Sequence, residues 1–425
     1  MKNKFFKAVL FAVLAVFAFL LSACEQLNFT EKLDLIAPDV DYGFSIYNDR
    51  YLVIDGAHYK LGDLAYDVLK KKDAKSNAYG VRFIDGDLYY FYDYSTGKAS
   101  SNKETPIWHS YVALLKTNLL TAETEQIYGL EDVYASTPSS SDLRFCKVEE
   151  DALVFVYNGV ISLFNVKTRE TLQTVDFYDK DEFVADESKK FDEIRRNEFN
   201  DYYYLSDEII KYAEYNTESK RYVMHNFAIN KKPIYGSVNV NRFENYVYTY
   251  KYIGGKTGGV NYEYYDCYDL TTGNAMGYDF MLDLVEKQKE QQLTGEEWYE
   301  EQARLEEEKS KITINGEIYR VKVRGDRSLE IVNEAGLLVF TIDNDYAMKN
   351  NEKFSQLFHV FPWCKGGEHA NITFKVFENR LFVCFRILSI IETPNFIFEF
   401  DLEANDLKYV TYIYGDFEFY KLAAK

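Results

Sequence analysis

Basic charge, cysteine and recognisable catalytic motifs are all scarce in this chain. Its 425 residues hold 49 Lys and Arg against 68 Asp and Glu, a net charge of −19. A chain this acidic is repelled by phosphate backbones and anionic lipid surfaces, which makes DNA, RNA and an anionic bilayer face poor partners. The one basic cluster, Lys70-Lys71-Lys72, reads as a helix C-terminus meeting its dipole. There is no His-Glu-x-x-His, no Gly-x-Ser-x-Gly and no Cys-x-x-Cys. Gly254 to Gly259 lacks the spacing of a phosphate loop and runs into a strand, so it reads as a long hairpin loop. These gaps leave no catalytic residue, no cofactor and no metal site to assign. Five cysteines and six prolines are few for this length. Cys146, Cys267 and Cys384 sit in separate apolar runs and read as small core residues. Cys364 with Cys384 is the one disulfide pairing left open.

Only one long apolar run exists. Ala8 to Leu21 is 14 residues without a polar side chain, after an N-terminal stretch carrying Lys2, Lys4 and Lys7 and no acid. A spanning helix needs roughly 20 residues. A charged segment, a short apolar core and then small residues is the layout of an export signal. It ends in Leu21, Ser22, Ala23 and Cys24.

That ending resembles the signal peptide of bacterial lipoproteins, with no departure from the pattern. The resemblance covers about the first 26 residues. It implies cleavage between Ala23 and Cys24 and a diacylglyceryl group on the Cys24 sulfur. Residues 1–23 are then the signal peptide and 24–41 a tether. Each buried CH₂ of the acyl chains adds about 0.8 kcal/mol, so two chains hold a protein stably at a membrane. The expected location is outside the cytoplasm, lipid-anchored to the cell membrane.

What is abundant is aromatic: 38 Tyr and 32 Phe. Most lie in short strand-like runs broken by Gly, Asn and Asp, where they suit a half-buried pleated surface. Exposed ones stack on sugars or form protein-binding faces. Leu143 to Tyr178 is the clearest unit, four antiparallel strands turned at Glu149-Glu150-Asp151, Asn158-Gly159 and Lys167-Thr168-Arg169. The scheme recurs at Gly80 to Tyr128, Gly236 to Phe280 and Ile372 to Tyr414. Weaker copies lie at Phe44 to Leu61, Tyr202 to Ile229 and Ile312 to Ile342. About seven degenerate four-stranded units over residues 42–425 predict an all-β fold, a β-propeller with short helical insertions. Tandem β-sandwiches are the alternative. Asp93 to Gly97 and Asp269 to Gly273 both read Asp-x-x-Thr-Gly, a turn expected before the last strand of a unit, with Asp401 to Asn405 a worn version. These turns resemble those of quinoprotein-type propellers, although the Trp that usually follows is absent.

Helices are expected at Asp63 to Lys72, Asp186 to Glu198 and, as a charged two-helix insertion, Met281 to Lys311. In the last, Thr294 to Glu297 reads as a capping box, with Glu300–Arg304 and Glu307–Lys311 as i,i+4 pairs. His359, Cys364 and His369, beside Glu368, are the sole constellation of metal-ligand types, and their spacing matches no common site. Asp85/Asp87 and Asp343/Asp345 resemble fragments of calcium loops but read as turn residues. The function expected is a lipid-anchored, non-catalytic binding or scaffold protein, its partner an envelope protein or an extracellular glycan. The alternatives are a carbohydrate-binding or glycoside-hydrolysing lipoprotein and an envelope-assembly factor.

Overall fold

A computed structural model describes residues 38–39, 43–70, 77–99, 108–135, 144–149, 152–157, 160–177, 194–196, 201–205, 208–231, 238–254, 260–291, 295–325, 328–360, 370–387 and 394–422. The export signal and most of the tether lie outside them. Among the described residues no helix is long and apolar enough to cross a membrane.

Strands dominate, and they form seven antiparallel sheets among the described residues. The first holds β1 (Phe44–Tyr47), β2 (Tyr51–Ile54) and β3 (Ala57–Lys60), followed by helix α1 (Leu61–Leu69). The second holds β4 (Asn77–Ile84), β5 (Asp87–Ala99), β6 (Trp108–Asn118) and β7 (Thr124–Ala135). The third holds β8 (Arg144–Glu149), β9 (Ala152–Tyr157), β10 (Val160–Asn165) and β11 (Glu170–Asp176), close to the expected bounds. The fourth holds β12 (Arg195–Arg196), β13 (Tyr202–Leu205), β14 (Ile209–Asn216) and β15 (Arg221–Ala228). The fifth has three strands, β16 (Asn239–Phe243), β17 (Tyr246–Gly254) and β18 (Val260–Asp269), and leads into helices α2 (Tyr278–Gln291) and α3 (Gly295–Lys309). The sixth holds β19 (Lys311–Ile314), β20 (Glu317–Val323), β21 (Leu329–Asn333) and β22 (Leu338–Ile342). Helices α4 (Asn344–Asn350) and α5 (Glu352–Val360) precede the seventh, which holds β23 (Ala370–Phe377), β24 (Arg380–Ile387), β25 (Pro394–Asp401) and β26 (Asp406–Tyr414). A last strand, β27 (Glu418–Lys421), follows.

The chain divides into two compact units, one of residues 45–54 and 58–302, the other of residues up to Phe44, 55–57 and 303–425. Within the first unit, successive sheets stack face on face. Phe91 and Leu114 of the second sheet share a buried cluster with Phe155 and Phe164 of the third. The other face of the third, with Val154 and Ile161, packs on Tyr202 and Ala213 of the fourth. The other face of the fourth, with Tyr203 and Tyr212, packs on Val247 and Tyr268 of the fifth. Within the second unit, Ile331 of the sixth sheet, Phe354 of α5 and Phe398 of the seventh share one cluster. There the C-terminal strand also returns to the chain's first one: the Leu422 N–H donates to the Gly43 carbonyl at 3.1 Å, and Phe419 packs on Phe44 at 5.3 Å. Sheets that use both faces on consecutive neighbours are blades; a sandwich pairs one sheet with one other. The fold is therefore all-β and of β-propeller type.

A single turn recurs between the third and fourth strands. Asn118, Asn165, Asn216 and Asp401 each accept backbone N–H bonds, from Leu120, Lys167, Ser219 and Glu403 respectively, at 2.8–3.1 Å. Four residues on, Ala122, Arg169, Lys220 and Asn405 adopt positive φ of 57°, 60°, 56° and 53°. Asp269 heads the same turn, accepting from Thr271, with Gly273 at φ 72°. Asn333 does so one residue shorter, ending at Gly336. The side-chain oxygen stands in for a backbone acceptor, which is why Asn or Asp opens each turn.

Four expectations are corrected. Asp93 to Gly97 is not a turn: it lies in β5, where Tyr94 and Ser95 pair with Tyr111 and Ser110, so cross-strand pairing overrides local turn preference. In the stretch from Asp186 to Glu198, Arg195 and Arg196 pair with Tyr203 and Tyr202 as a strand, and most of the rest lies outside the described residues. The unit at Gly236 to Phe280 has three strands instead of four among the described residues, because α2 starts at Tyr278 and buries Met281, Leu284 and Val285 against the sheet. The second insertion helix stops at Lys309, leaving Lys311 in β19, and Arg304 reaches forward to Glu308 at 3.1 Å. Thr294 lies outside the described residues.

Candidate functional site

The fifth sheet carries a face of tyrosines. Period-two alternation in β17 puts Tyr246, Tyr248, Tyr250 and Tyr252 on one side of the pleat. In β18, Tyr264 and Tyr262 stand opposite Tyr250 and Tyr252 in register. Ring centroids along this ladder are 5.5 Å apart for Tyr250–Tyr262, 6.0 Å for Tyr248–Tyr264 and 6.3 Å for Tyr252–Tyr262. Such offset aromatic contacts each add about 0.5–1.5 kcal/mol beyond burial, which stiffens the face.

The ladder runs from sealed to open. At one end Tyr248 is 4% exposed, packed with Phe243 and Cys267 under Met281, Leu284 and Val285 of α2. Its hydroxyl accepts from Asn241 Nδ2 at 2.8 Å and donates to Gln288 Oε1 at 2.5 Å. At the other end Tyr252 and Tyr262 are 54% and 44% exposed. Burial pushes the Tyr248 hydroxyl up to about 12 and also raises that of Tyr264. Both phenols stay neutral at ordinary pH, so they offer rings and hydrogen-bonding hydroxyls and no phenolate nucleophile. The helical insertion exposes further aromatics, Tyr278 and Phe280 on α2 and the Trp298–Tyr299 pair on α3.

A second cluster is polar and closed. Arg242 of β16 donates to Asp201 Oδ2 at 2.9 Å and to Glu214 Oε1 at 2.6 Å. Asp201 is fully buried and also accepts from the Tyr212 hydroxyl and the Tyr215 N–H. Glu214 Oε2 lies 3.3 Å from His225 Nε2. The bond to His225, with the Arg242 charge, holds the Glu214 carboxyl below its ordinary value despite burial. Two carboxylates locked on one guanidinium make a clamp between the fourth and fifth sheets. Glycoside hydrolysis needs a carboxyl free to give a proton beside a second that attacks or activates water, and this pair is already committed.

The residues singled out in the sequence are dispersed. Cys24, Cys364, Glu368 and His369 lie outside the described residues, and His359 falls in α5. Cys267 and Cys384 are free, buried thiols, each pushed up to about 12 by burial. Asp85 occupies a turn at φ 49°, Asp87 pairs with Lys116 at 3.1 Å, and Asp343 caps α4 by accepting from Tyr346 N. Among the described residues no three His, Cys, Asp or Glu side chains are grouped to hold a metal ion. The tyrosine ladder was not singled out, although Tyr246-Val-Tyr-Thr-Tyr-Lys-Tyr252 alternates strictly and signals it.

No protein-family model matches the chain, and no curated protein matches it. Among solved structures it is similar to the β-propeller domain of the Trilobed protease from Pyrococcus furiosus, at 9% identity and a TM-score of 0.24, covering 80% of this chain and 85% of that one. It is also similar to the dihydro-heme d1 dehydrogenase NirN, at 8% identity and a TM-score of 0.29, covering 89% and 76%. The fold assignment rests on the stacked sheets, and these likenesses carry no activity over to this chain.

Proposed function

We propose that this chain is a lipid-anchored lipoprotein, held outside the cytoplasm through Cys24, whose propeller body binds a ligand on the tyrosine face of the fifth sheet and does no chemistry on it. The observation that carries the reading is the exposure of that face. Tyr252 and Tyr262 stay in water while the rest of their ladder is built, stacked and backed by a helix. Aromatic rings held rigid in solvent lose little entropy on binding, which is what a docking surface needs. An envelope protein is the ligand class favoured, and a role in envelope assembly falls within it. A glycan is the second reading, favoured by the two adjacent exposed rings of Tyr252 and Tyr262.

The anchor is supported by the unbroken Leu21-Ser22-Ala23-Cys24 pattern. Cleavage before Cys24 would remove the three lysines of the leader and take the charge from −19 to −22, keeping the body off anionic headgroups. Mass spectrometry of the mature protein tests it. An N-terminal Cys24 bearing diacylglycerol is expected; an unmodified N-terminus released to the medium removes the anchor.

A further inference from the structure

The fifth sheet starts a fourth strand and abandons it. After the turn at Asp269, the Asp269 N–H donates to the Asn274 carbonyl at 3.0 Å and the Met276 N–H donates to the Cys267 carbonyl at 2.8 Å. One bridge, Tyr268 with Ala275, forms, and the chain then enters α2. The second, third, fourth, sixth and seventh sheets each have a fourth strand at this place. Among the described residues none pairs with the far edge of β18 from Val260 to Tyr265.

That edge is equipped to pair. The Cys267 carbonyl faces away from β17, since it accepts from Met276. Tyr248 and Tyr250 sit two apart in β17 and point their backbone groups the same way. Their partners Cys267 and Tyr264 therefore share a direction across the irregularity between them, and Tyr262 follows by alternation. The Tyr262 and Tyr264 amides thus point at the vacancy. From Val260 to Tyr265 there is no proline and one charge, Glu263, so the usual devices that blunt an edge are sparse.

We propose that β18 takes an extended peptide from a partner protein as the missing fourth strand. This rests on the reading of the fifth sheet as the binding face. The chemistry of the peptide follows from its neighbours. On one side its side chains would lie beside the exposed ring of Tyr262 and the half-buried ring of Tyr264, which calls for apolar or aromatic residues. On the other they would lie beside exposed Glu263, whose carboxylate accepts from the Tyr265 hydroxyl at 2.6 Å, on a protein of net charge −19. That calls for Lys or Arg. The ligand is a strand alternating basic with apolar residues, held by main-chain bonds and sorted by alternate side chains.

The test uses a capped synthetic octapeptide, Lys-Val-Lys-Phe repeated twice, and the same peptide N-methylated at alternate residues, titrated into the intact mature protein. The plain peptide is expected to bind and to protect the amides of residues 260–265 from hydrogen exchange. N-methylation is expected to weaken it by about tenfold or more, roughly 1.4 kcal/mol. Tyr262→Pro removes a ring and an outward N–H, whereas Tyr262→Ala removes the ring alone, so the Pro variant is expected to bind about tenfold worse than the Ala variant at matched urea midpoints. Equal affinity for both peptides, equal loss in the two variants, protection elsewhere, or no binding at millimolar peptide overturns strand addition. Equal loss in both variants would leave the tyrosine face a binding surface. Wild-type binding by Tyr262→Ala would overturn that reading too.

Discussion

The seventh and fifth sheets use the same alternation for opposite ends. In the seventh, Phe385, Phe396, Phe398 and Phe400 line one face at 0–3% exposure. Phe354 of α5 closes over them, 4.4 Å from Phe385 and 5.6 Å from Phe398. In the fifth, tyrosines line the face and α2 covers one end only. The difference is a hydroxyl. A phenylalanine ring can be sealed anywhere, but a buried phenol needs a partner. Two sealed tyrosines show such partners: Tyr90 lies 3.2 Å from Thr117 Oγ1, and the Tyr212 hydroxyl donates to Asp201. Tyr252 and Tyr262 are left instead to water. Sealed phenylalanines join the seventh sheet to its covering helix, and on the function proposed above the open tyrosines are where a partner would dock.

The contrast can be broken at its sealed side first. Phe398→Ala empties a fully buried site and should cost about 4 kcal/mol, read as a lower urea midpoint. Arg242→Ala comes next. It strips the fully buried Asp201 of its guanidinium and should cost about 3 kcal/mol by the same measurement. Acid probes the same clamp. Because the folded Glu214 carboxyl is held below its unfolded value, its contribution is present above that value, 4.5, and is lost as pH falls through the folded one. Stability should therefore drop on acidification below about pH 4.5, and Glu214→Gln should flatten that limb of the pH profile. Smaller still is the turn shared by the two sheets. Gly273 has open space around it but a φ of 72°, so Gly273→Ala should cost about 1 kcal/mol through backbone strain alone. Asn405→Gly at the matching place should shift stability by a few tenths, since Asn already tolerates that conformation.

Much of the fold was legible because strand alternation and turn residues are local signals. Ala152 to Tyr157 announces itself by pattern and keeps its bounds, and the strand expected at Val160 to Val166 ends one residue earlier, at Asn165. The turn motif is only half visible in the sequence. Asp269 and Asp401 carry its Asp form, but Asn118, Asn165 and Asn216 open the same turn, and the full Asp-x-x-Thr-Gly match at Asp93 is in a strand. The backbone bond needs only a side-chain oxygen, so the motif is broader than its Asp form. The missing strand at Ala275 was not legible, because burial of Met281, Leu284 and Val285 decides it and those contacts are tertiary. The Arg242 clamp joins residues 41 and 28 positions apart, a pairing that spacing does not disclose. The tyrosine ladder was written plainly, but alternating Tyr reads as core or as surface until its exposure is known.

Whether the open rings are held for a ligand or for the fold is decided by the urea midpoint of the Tyr252→Ala/Tyr262→Ala double variant. The prediction is a change within about 0.5 kcal/mol of the parent, the scale of surface substitutions. A loss of several kcal/mol would make these tyrosines part of the core and the fifth sheet no different in kind from the seventh.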